Sequence, residues 1–261
     1  MSERKPALWL RIYAFLAYAY IYIPILILII LSFNSQKLNV TWEGFTFKWY
    51  GTLFNDSQVL LATRNTLIIA AISTLVATVV GTLAALALQR YRFPGYLFAE
   101  SALYIPVIIP EVVMGIALLA FFALIGLKLG LTTITLAHIA FNIPFVALVV
   151  RARLHGFDRS IEEAAMDLGA SEIVTFWRVT LPTIMPGVLS GALLAFTLSI
   201  DDYVITYFTA GPGSTTLPLR IFSMVRFAVT PEVNALSTLW VLTVFIILGI
   251  GQLLQRRRTF A

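Results

Sequence analysis

The chain has 261 residues, of which 59% are hydrophobic and only 12% are charged, and its formal net charge is +5. A mean hydropathy of +0.90 excludes an ordinary soluble domain and indicates a protein that crosses a membrane. The absence of cysteine excludes disulfides and thiolate metal sites, and two histidines are too few for a histidine-rich metal site. Because the positive residues cluster at the ends of apolar runs, we expect them to orient the chain in a membrane rather than to bind nucleic acid.

Six apolar runs follow one another along the chain, and each is long enough to cross a bilayer. They lie at about residues 10–31, 65–88, 100–125, 132–150, 183–207 and 233–254. The first run is too long for a signal-peptide core and has no small-residue cleavage site behind it, so we expect it to be retained. Because no water satisfies open backbone groups inside a bilayer, the runs must be helices. The sequence therefore predicts an all-α, polytopic membrane helical bundle with six transmembrane helices, forming one domain over residues 1–261.

Lys and Arg residues are distributed unevenly between the two sides of the predicted spans. With the N-terminus in the cytoplasm, the inside segments hold the larger share of the 18 positive residues, namely Arg4, Lys5, Arg11, Arg90, Arg92, Arg151, Arg153, Arg159, Arg178, Arg256, Arg257 and Arg258. The outside segments hold Lys37, Lys48, Arg64, Lys128, Arg220 and Arg226. The positive-inside rule therefore predicts that both termini, and the polar segment at about 151–182, lie in the cytoplasm.

Three carboxylates fall in or near the apolar runs: Glu111 in the third, and Asp201 and Asp202 late in the fifth. A lone carboxylate at the bilayer centre costs roughly 2.5–3.5 kcal/mol, so such groups usually face a bundle interior or a water-filled path. At about 1.5 Å per residue, Glu111 lies about 15 Å into its span and the Asp pair about 27–28 Å along theirs, near the outer mouth. Neither run contains a basic residue. We expect these acids to make an electronegative pathway for a positively charged solute.

The alternative is that Asp201 and Asp202 are outer helix-end residues in water, and that Glu111 pairs with a neighbouring chain. His138 lies in the fourth run and has no acidic residue near it in the sequence. We therefore expect His138 to make an interhelical hydrogen bond rather than to bind a ligand.

The polar segment between the fourth and fifth runs predicts a short helix. Ser160 and Glu163 have the S-x-x-E spacing of a capping box, which would begin the helix at Ser160. Its small, apolar face consists of Ile161, Ala164, Ala165 and Leu168. This face either docks on another protein or packs against the chain's own membrane helices.

A second short helix follows in the same segment. Gly169 can adopt a positive φ and end the first helix, and Ser171 can cap the next one. We expect Pro182 to end that second helix near Thr180, because proline lacks the N–H that a helix interior requires.

The motifs of the common nucleotide and hydrolase sites are missing. The sequence contains no G-x-x-x-x-G-K-[ST] phosphate loop, no H-E-x-x-H and no G-x-S-x-G. We therefore assign no catalytic residue, no metal site and no cofactor, and the chain has no recognisable means of hydrolysing ATP itself. A membrane-embedded enzyme is the alternative from another class of function.

The spacing of Glu163-Ala164-Ala165, Gly169 and Leu181-Pro182 resembles the cytoplasmic coupling loop of ABC importer permeases. Over nearly its whole length, the chain also resembles the spermidine/putrescine ABC importer permeases, most closely the C-type subunit. Further marks of this resemblance are Tyr22-Ile23-Pro24, Ser32-Phe33-Asn34-Ser35, Lys48-Trp49-Tyr50, Arg90-Tyr91-Arg92-Phe93, Phe196-Thr197-Leu198-Ser199, Gly211-Pro212, Leu217-Pro218 and Pro231-Glu232-Val233-Asn234-Ala235.

The resemblance implies a transport subunit of a bacterial inner membrane, with polyamine as cargo and lipid around it. It also implies two ATP-binding subunits, a second homologous permease subunit and a periplasmic substrate-binding protein as partners. The residues that it places in the ATPase-coupling loop are Glu163, Ala164, Ala165, Gly169, Leu181 and Pro182. Those that it places along the substrate path are Glu111, Asp201 and Asp202. The same architecture with a different small solute is the alternative.

Overall fold

The computed structural model describes residues 8–37 and 41–259. The helices are, in chain order, α1 (Leu8–Leu31), α2 (Lys48–Asn55), α3 (Ser57–Arg90), α4 (Tyr96–Ile108), α5 (Glu111–Leu124), α6 (Leu131–Leu154), α7 (Ser160–Asp167), α8 (Glu172–Thr175), α9 (Leu181–Asp201), α10 (Val204–Thr209), α11 (Leu217–Phe227) and α12 (Pro231–Thr259), with a π-helical turn at Phe176–Thr180. Extended pairing in the described residues is limited to one bridge between Asn34 and Phe45. The predicted all-α class is confirmed.

The predicted count of six spans is compatible with these helices. Four helical stretches are long and apolar enough to cross a membrane: α1, α3, α6 and the run Glu172–Asp201. Helices α4 and α5 pass the same test only as a pair, and because the pair is bent by 115°, it is either a broken span or a re-entrant loop. Helix α12 contributes a shorter apolar stretch at its start, Pro231–Ile247.

The bend between α4 and α5 falls at Pro110, one of the two prolines in this helix pair. Pro110 has no N–H and is extended at ψ 136°, so the helix cannot continue through Ile109 and Pro110. Pro106, the other proline, lies inside α4 without ending it. The bend places Glu111 at the first position of a new helix rather than in the middle of a straight one.

The structure does not describe some of the positive residues from which the membrane orientation was predicted. Arg4 and Lys5 lie outside the described residues, and so do the side chains of Arg256, Arg257 and Arg258.

The chain divides into two compact units. The first comprises Met1–Leu60 and Ile221–Thr243, and the second comprises Leu61–Arg220 and Val244–Ala261. In the first unit, the indole N–H of Trp49 donates to the backbone carbonyl of Asn34 at 2.7 Å, and Phe33 stacks on Phe45 with 5.0 Å between ring centroids. These contacts close the loop between α1 and α2.

The core of the second unit forms where α3, α6 and α9 approach closely. Val146 on α6 is fully buried, and a Cβ atom added to Gly81 on α3 would lie 2.8 Å from its Cβ. On the other side, a Cβ atom at Gly191 on α9 would lie 3.2 Å from Val146 Cγ1. Small residues thus let the three backbones pack around one branched side chain, as is common between membrane helices.

An ion pair ties α4 to α6 in the same unit. The Arg151 guanidinium donates to Glu100 at 2.9 Å and to the Tyr104 hydroxyl at 3.2 Å. Arg151 lies in the last turn of α6, where a cation also interacts favourably with the helix dipole.

The prediction that Pro182 ends a second short helix near Thr180 is wrong. The chain stays helical from Glu172 to Asp201, through the π-helical turn. The Leu181 N–H bonds to the Phe176 carbonyl, five residues back, and Pro182 falls in the first turn of α9. The π-helical turn interrupts the regular i to i−4 hydrogen bonding just before Pro182, so the proline, which has no N–H, lies where that pattern is already irregular.

The chain departs from the fifth predicted run near its end. Helix α9 ends at Asp201, Asp202 is extended at ψ 123°, and a short helix α10 begins at Val204. This break frees backbone N–H groups at the start of α10 beside the two aspartates.

Gly81→Ala should lower the free energy of unfolding by about 1–3 kcal/mol, because the new Cβ would lie within 3 Å of both Val146 and the Ile143 carbonyl. Thermal melting of the purified protein in detergent measures this loss. Gly51→Ala is the matched control, since nothing lies within 4 Å of a Cβ added at Gly51. Equal melting temperatures for the two variants would contradict the close approach of α3 and α6.

Candidate functional site

The first helix of the polar segment begins where the sequence predicted, but another residue caps it. Helix α7 starts at Ser160, yet Arg159 occupies the N-cap position and no side-chain cap bond forms there. Instead, the Ser160 N–H donates to Asp158 Oδ1 at 2.9 Å, and this bond lowers the pKa of the Asp158 carboxyl. The predicted capping box of Ser160 and Glu163 is therefore wrong.

The end of α7 follows the prediction for Gly169. Gly169 has φ +91°, the left-handed conformation that glycine adopts without strain. Its N–H bonds to the Met166 carbonyl at 2.9 Å, and the Ala170 N–H bonds to the Ala165 carbonyl at 3.1 Å. This pair of bonds is a Schellman motif. Ser171 then caps α8 by accepting from the Val174 N–H at 3.4 Å, also as predicted.

The apolar face of α7 is exposed rather than packed on the chain's own helices. Leu168 is 91% exposed, and Ile161 and Ala164 are also exposed, while Ala165 is partly buried. The exposure continues past the glycine, because Trp177 is 63% exposed. Glu163 and Pro182 also lie at the surface, whereas Leu181 packs against the core of the second unit. The chain therefore presents a contiguous stretch with large apolar side chains and few contacts of its own.

The neighbouring Glu162 anchors this segment, a role that no sequence motif indicated because its partners are distant in the chain. Its side chain is buried at 8% exposure, forms an ion pair with Arg90 at the end of α3, and accepts from the Thr180 hydroxyl. A cavity of about 230 Å³ opens beside these groups and is also lined by Glu163. Glu162 thus holds α7 against α3 and the π-helical turn, while Glu163 remains free at the surface.

The second group of site residues lies around Asp202, at the break between α9 and α10. The Asp202 side chain is only 5% exposed. Its Oδ2 accepts from the backbone N–H and from the hydroxyl of Thr206, both at 2.7 Å, and its Oδ1 accepts from the Ile205 N–H at 3.3 Å. The carboxylate is thus held by the amino end of α10, and it is not a helix-end residue in water.

His138 completes the surroundings of Asp202 from α6. Its Nε2 lies 3.2 Å from Asp202 Oδ2 and 2.9 Å from the Thr206 hydroxyl. Its Nδ1 lies 2.7 Å from the Ser199 hydroxyl on α9. The predicted interhelical hydrogen bond of His138 is confirmed, but the acidic partner was hidden because Asp202 is distant in the sequence.

Glu111 and Asp201 lie within electrostatic reach of Asp202, which brings all three sequence-predicted acids together. Both are exposed, and neither forms an ion pair with a Lys or Arg of the described residues. In that same part of the chain, no three His, Asp or Glu side chains lie close enough together to hold a metal ion. The arrangement is a cluster of negative charge with one histidine and no permanent cation.

Arg90→Gln should loosen α7, because it leaves the Glu162 carboxylate buried without its ion-pair partner. We expect a loss of about 1–3 kcal/mol in the stability of this segment. Hydrogen exchange of the α7 amides in the purified protein measures it. Arg178→Gln is the matched control, since Arg178 is exposed and forms no ion pair among the described residues. Identical exchange in both variants would show that the Arg90–Glu162 pair does not hold α7.

Solved structures with the same fold are membrane transporters. A bacterial ABC transporter involved in the import of the acidic polysaccharide alginate superposes with a TM-score of 0.72 at 19% identity, covering 95% of this chain and 96% of that one. The MetNI methionine ABC transporter superposes with a TM-score of 0.66 at 19% identity, covering 82% of this chain and 99% of that one. At these identities the likeness concerns the fold.

Relatives identified by sequence share a higher identity with this chain than these solved structures do. The spermidine/putrescine transport system permease protein PotC of Escherichia coli (strain K12) is 46% identical over 93% of this chain and 92% of its own length. PotC of Haemophilus influenzae is 43% identical over 94% of this chain and 95% of its own. The putrescine transport system permease protein PotI of Escherichia coli (strain K12) is 44% identical over 88% of this chain and 85% of its own.

The family model for binding-protein-dependent transport system inner membrane components matches residues 77–259, which include α7 and the acids Glu111, Asp201 and Asp202. This match and the close relatives leave no support for the alternative of a membrane-embedded enzyme. The chain belongs to the family of binding-protein-dependent transport system inner membrane components and is a permease subunit rather than an enzyme.

Proposed function

We propose that this permease imports polyamines, with spermidine and putrescine as the cargo class. The observation that carries the proposal is the cluster of Glu111, Asp201 and Asp202, which has no Lys or Arg partner among the described residues. Polyamines are flexible chains that bear several ammonium groups, so they can meet separated carboxylates one at a time. The names of the relatives, which are permeases for spermidine/putrescine or putrescine, support the same cargo.

The charge of the cluster explains why a cation would be preferred. A carboxylate that is partly withdrawn from water gains most from a cation that approaches it directly. Glu111 enters from α5, Asp201 ends α9, and Asp202 lies between α9 and α10, so a passing polycation would contact three helical elements at once. A neutral solute gains no charge–charge attraction from this arrangement. An anionic solute would be repelled by it.

The exposed face of the polar segment supports a docking role for it. In this proposal, Glu163, Ala164 and Ala165 belong to the surface that meets an ATP-binding subunit, and Gly169 sets the turn. Leu181 and Pro182 fix the start of α9 behind that surface. Glu162, held by Arg90, keeps the surface in place, so that movement of the ATP-binding subunit would be passed to the membrane helices.

The full assembly that we propose contains two ATP-binding subunits, a second homologous permease subunit and a periplasmic substrate-binding protein. The chain acts within it as a single transmembrane domain in a bacterial inner membrane, surrounded by lipid, with both termini in the cytoplasm. The Lys and Arg distribution supports this orientation. It also leaves the α7 segment accessible to a cytoplasmic ATPase.

Neutralising Glu111, Asp201 or Asp202 should weaken uptake of spermidine and putrescine while leaving assembly intact. Asp201→Asn and Glu111→Gln should each raise the apparent KM for uptake about tenfold, which corresponds to about 1.4 kcal/mol. Asp202→Asn should impair uptake as well, since it also removes the charge that faces His138. Initial uptake rates in cells that express the whole importer and lack other polyamine uptake systems measure the effect.

Glu43→Gln is the control for these variants, because Glu43 is an exposed acid in the loop between α1 and α2. Wild-type uptake in the Asp201, Asp202 and Glu111 variants would remove the acids from the path. Uptake of neither polyamine by the wild-type importer would instead favour a different small solute in the same architecture.

Leu168→Ala should weaken association with the ATP-binding subunit by about tenfold or more without changing the melting temperature of the permease. The reason is that Leu168 is 91% exposed and would be buried only in the complex. Glu163→Ala should act in the same direction. Co-purification and a binding titration with the isolated ATP-binding subunit measure the loss.

Leu124→Ala is the matched control for docking, since Leu124 is 86% exposed at the end of α5 and lies outside the polar segment. Docking that is indifferent to both Leu168 and Glu163 would count against a coupling role for α7.

A further inference from the structure

A chain of buried polar side chains leads from α3 to Asp202. It begins with the Ser73 hydroxyl, which lies 3.0 Å from the Ser199 hydroxyl, and continues from Ser199 to His138 Nδ1 at 2.7 Å. On the far side of the imidazole ring, Nε2 reaches Thr206 at 2.9 Å and Asp202 at 3.2 Å. Ser73, Ser199 and His138 are all buried. The imidazole ring is therefore in contact with hydrogen-bonding side chains on both of its nitrogens and is buried from water.

When His138 is neutral, every hydrogen bond in this series of buried side chains can point toward Asp202. The Ser73 hydroxyl donates to Ser199, and the Ser199 hydroxyl donates to the unprotonated Nδ1. Nε2–H then donates to Asp202 and Thr206, and the Thr206 hydroxyl donates to Asp202. Each member of the chain is satisfied, as a buried polar network requires.

With protonated His138, the hydroxyl part of the chain can reverse without moving any heavy atom. Nδ1–H now donates to Ser199, Ser199 donates to Ser73, and Ser73 donates to the Ala70 carbonyl, which lies 3.4 Å away. The Nε2–H bond toward Asp202 is unchanged. A serine hydroxyl can serve as donor or acceptor, so both charge states of the imidazole are accommodated in one geometry.

The charges around Asp202 indicate a role for the state in which His138 is protonated. Besides His138 on α6, the titratable groups that face it are Glu111 from α5 and Asp201 at the end of α9, both acids. Tyr203 follows Asp202 in the chain, and the nearest group on α3 is the hydroxyl of Ser73. His138 is therefore the one side chain of the described residues that can bring a positive charge to Asp202 when no cargo is present.

We propose that His138 carries a proton beside Asp202 while the path is empty and gives that proton up to solvent when a cationic group of the cargo arrives. This rests on the proposed import of polyamines. The Nδ1–H bond of the imidazolium breaks, one proton leaves, and one ammonium group takes over its charge, so the net charge of the site stays constant. The hydroxyls of Ser199 and Ser73 turn to donate toward Nδ1 as the proton leaves.

A proton and the cargo then compete for the same carboxylate. As the pH falls, more of the empty permease holds the proton, and the cargo must displace it. The apparent KM for polyamine uptake should therefore rise with falling pH, with a slope that approaches about tenfold per pH unit, the limit for release of one proton. The maximal rate should depend on pH much less than KM does.

The test compares spermidine uptake by the whole importer between pH 5.5 and pH 8 for the wild type and His138→Gln. Glutamine keeps an N–H that can reach Asp202 and Thr206, but it cannot be protonated. Whatever the rate of the variant at pH 8, we expect a KM that no longer rises in acid. If His138 has only a structural role, the variant should take up spermidine more slowly but keep the wild-type pH dependence of KM. His155→Gln, which removes the other, exposed histidine, should retain the wild-type pH dependence of KM whatever its rate.

Ser199→Ala provides a second test that retains the imidazole and guards against poor folding of the glutamine variant. It removes the acceptor for Nδ1–H, and a charged donor loses more than a neutral one, so the rise of KM in acid should be weaker than in the wild type. Parallel KM profiles for the wild type, His138→Gln and Ser199→Ala overturn the inference while leaving polyamine import in place. An importer whose wild type takes up no polyamine at any pH overturns the proposed function, and this inference falls with it.

Discussion

The cost of withdrawing a carboxylate from water governs the interior of the second unit. A buried anion without partners is far more expensive than the net gain from a typical hydrogen bond, so each such group must be surrounded by donors. Asp202 meets this requirement with two backbone N–H groups, the Thr206 hydroxyl and His138. The break between α9 and α10 supplies the two N–H groups, because an uninterrupted helix would have none to give. The helix break and the buried acid are thus one structural feature.

Glu162 follows the same rule near the polar segment. Its partners are the Arg90 guanidinium from α3 and the hydroxyl of Thr180 in the π-helical turn. Removing Arg90 would leave the Glu162 carboxylate without a counter-charge, whereas the adjacent Glu163 has no such constraint because it lies at the surface. Two neighbouring glutamates therefore differ in role because one is enclosed and the other is not: Glu162 fixes the position of α7, and Glu163 is available for contacts with another protein.

Sequence reasoning succeeded where the determinant is local. Gly169 ends α7 with a positive φ and Ser171 caps α8, because both depend only on the residues beside them. It failed at Ser160, because Asp158 rather than Glu163 accepts from the Ser160 N–H. It also failed at Pro182, because the chain continues through a π-helical turn into α9 instead of ending there. The cluster of Glu111, Asp201 and Asp202 was predicted from charge in apolar runs. The contacts of His138 and Glu162 could not be, because their partners are distant in sequence and only the packed helices bring them together.

The continuous helical run from Glu172 to Asp201 connects the exposed polar segment with the acids at the end of α9. Its 30 residues span about 45 Å at the usual rise per residue. Trp177 stands near one end at the surface, and Asp201 forms the other end beside Asp202. If this run moved as one body, a rotation of about 5° about one end would displace the other by about 4 Å, more than the length of a hydrogen bond. A small tilt at the exposed end would then shift the acids at the far end.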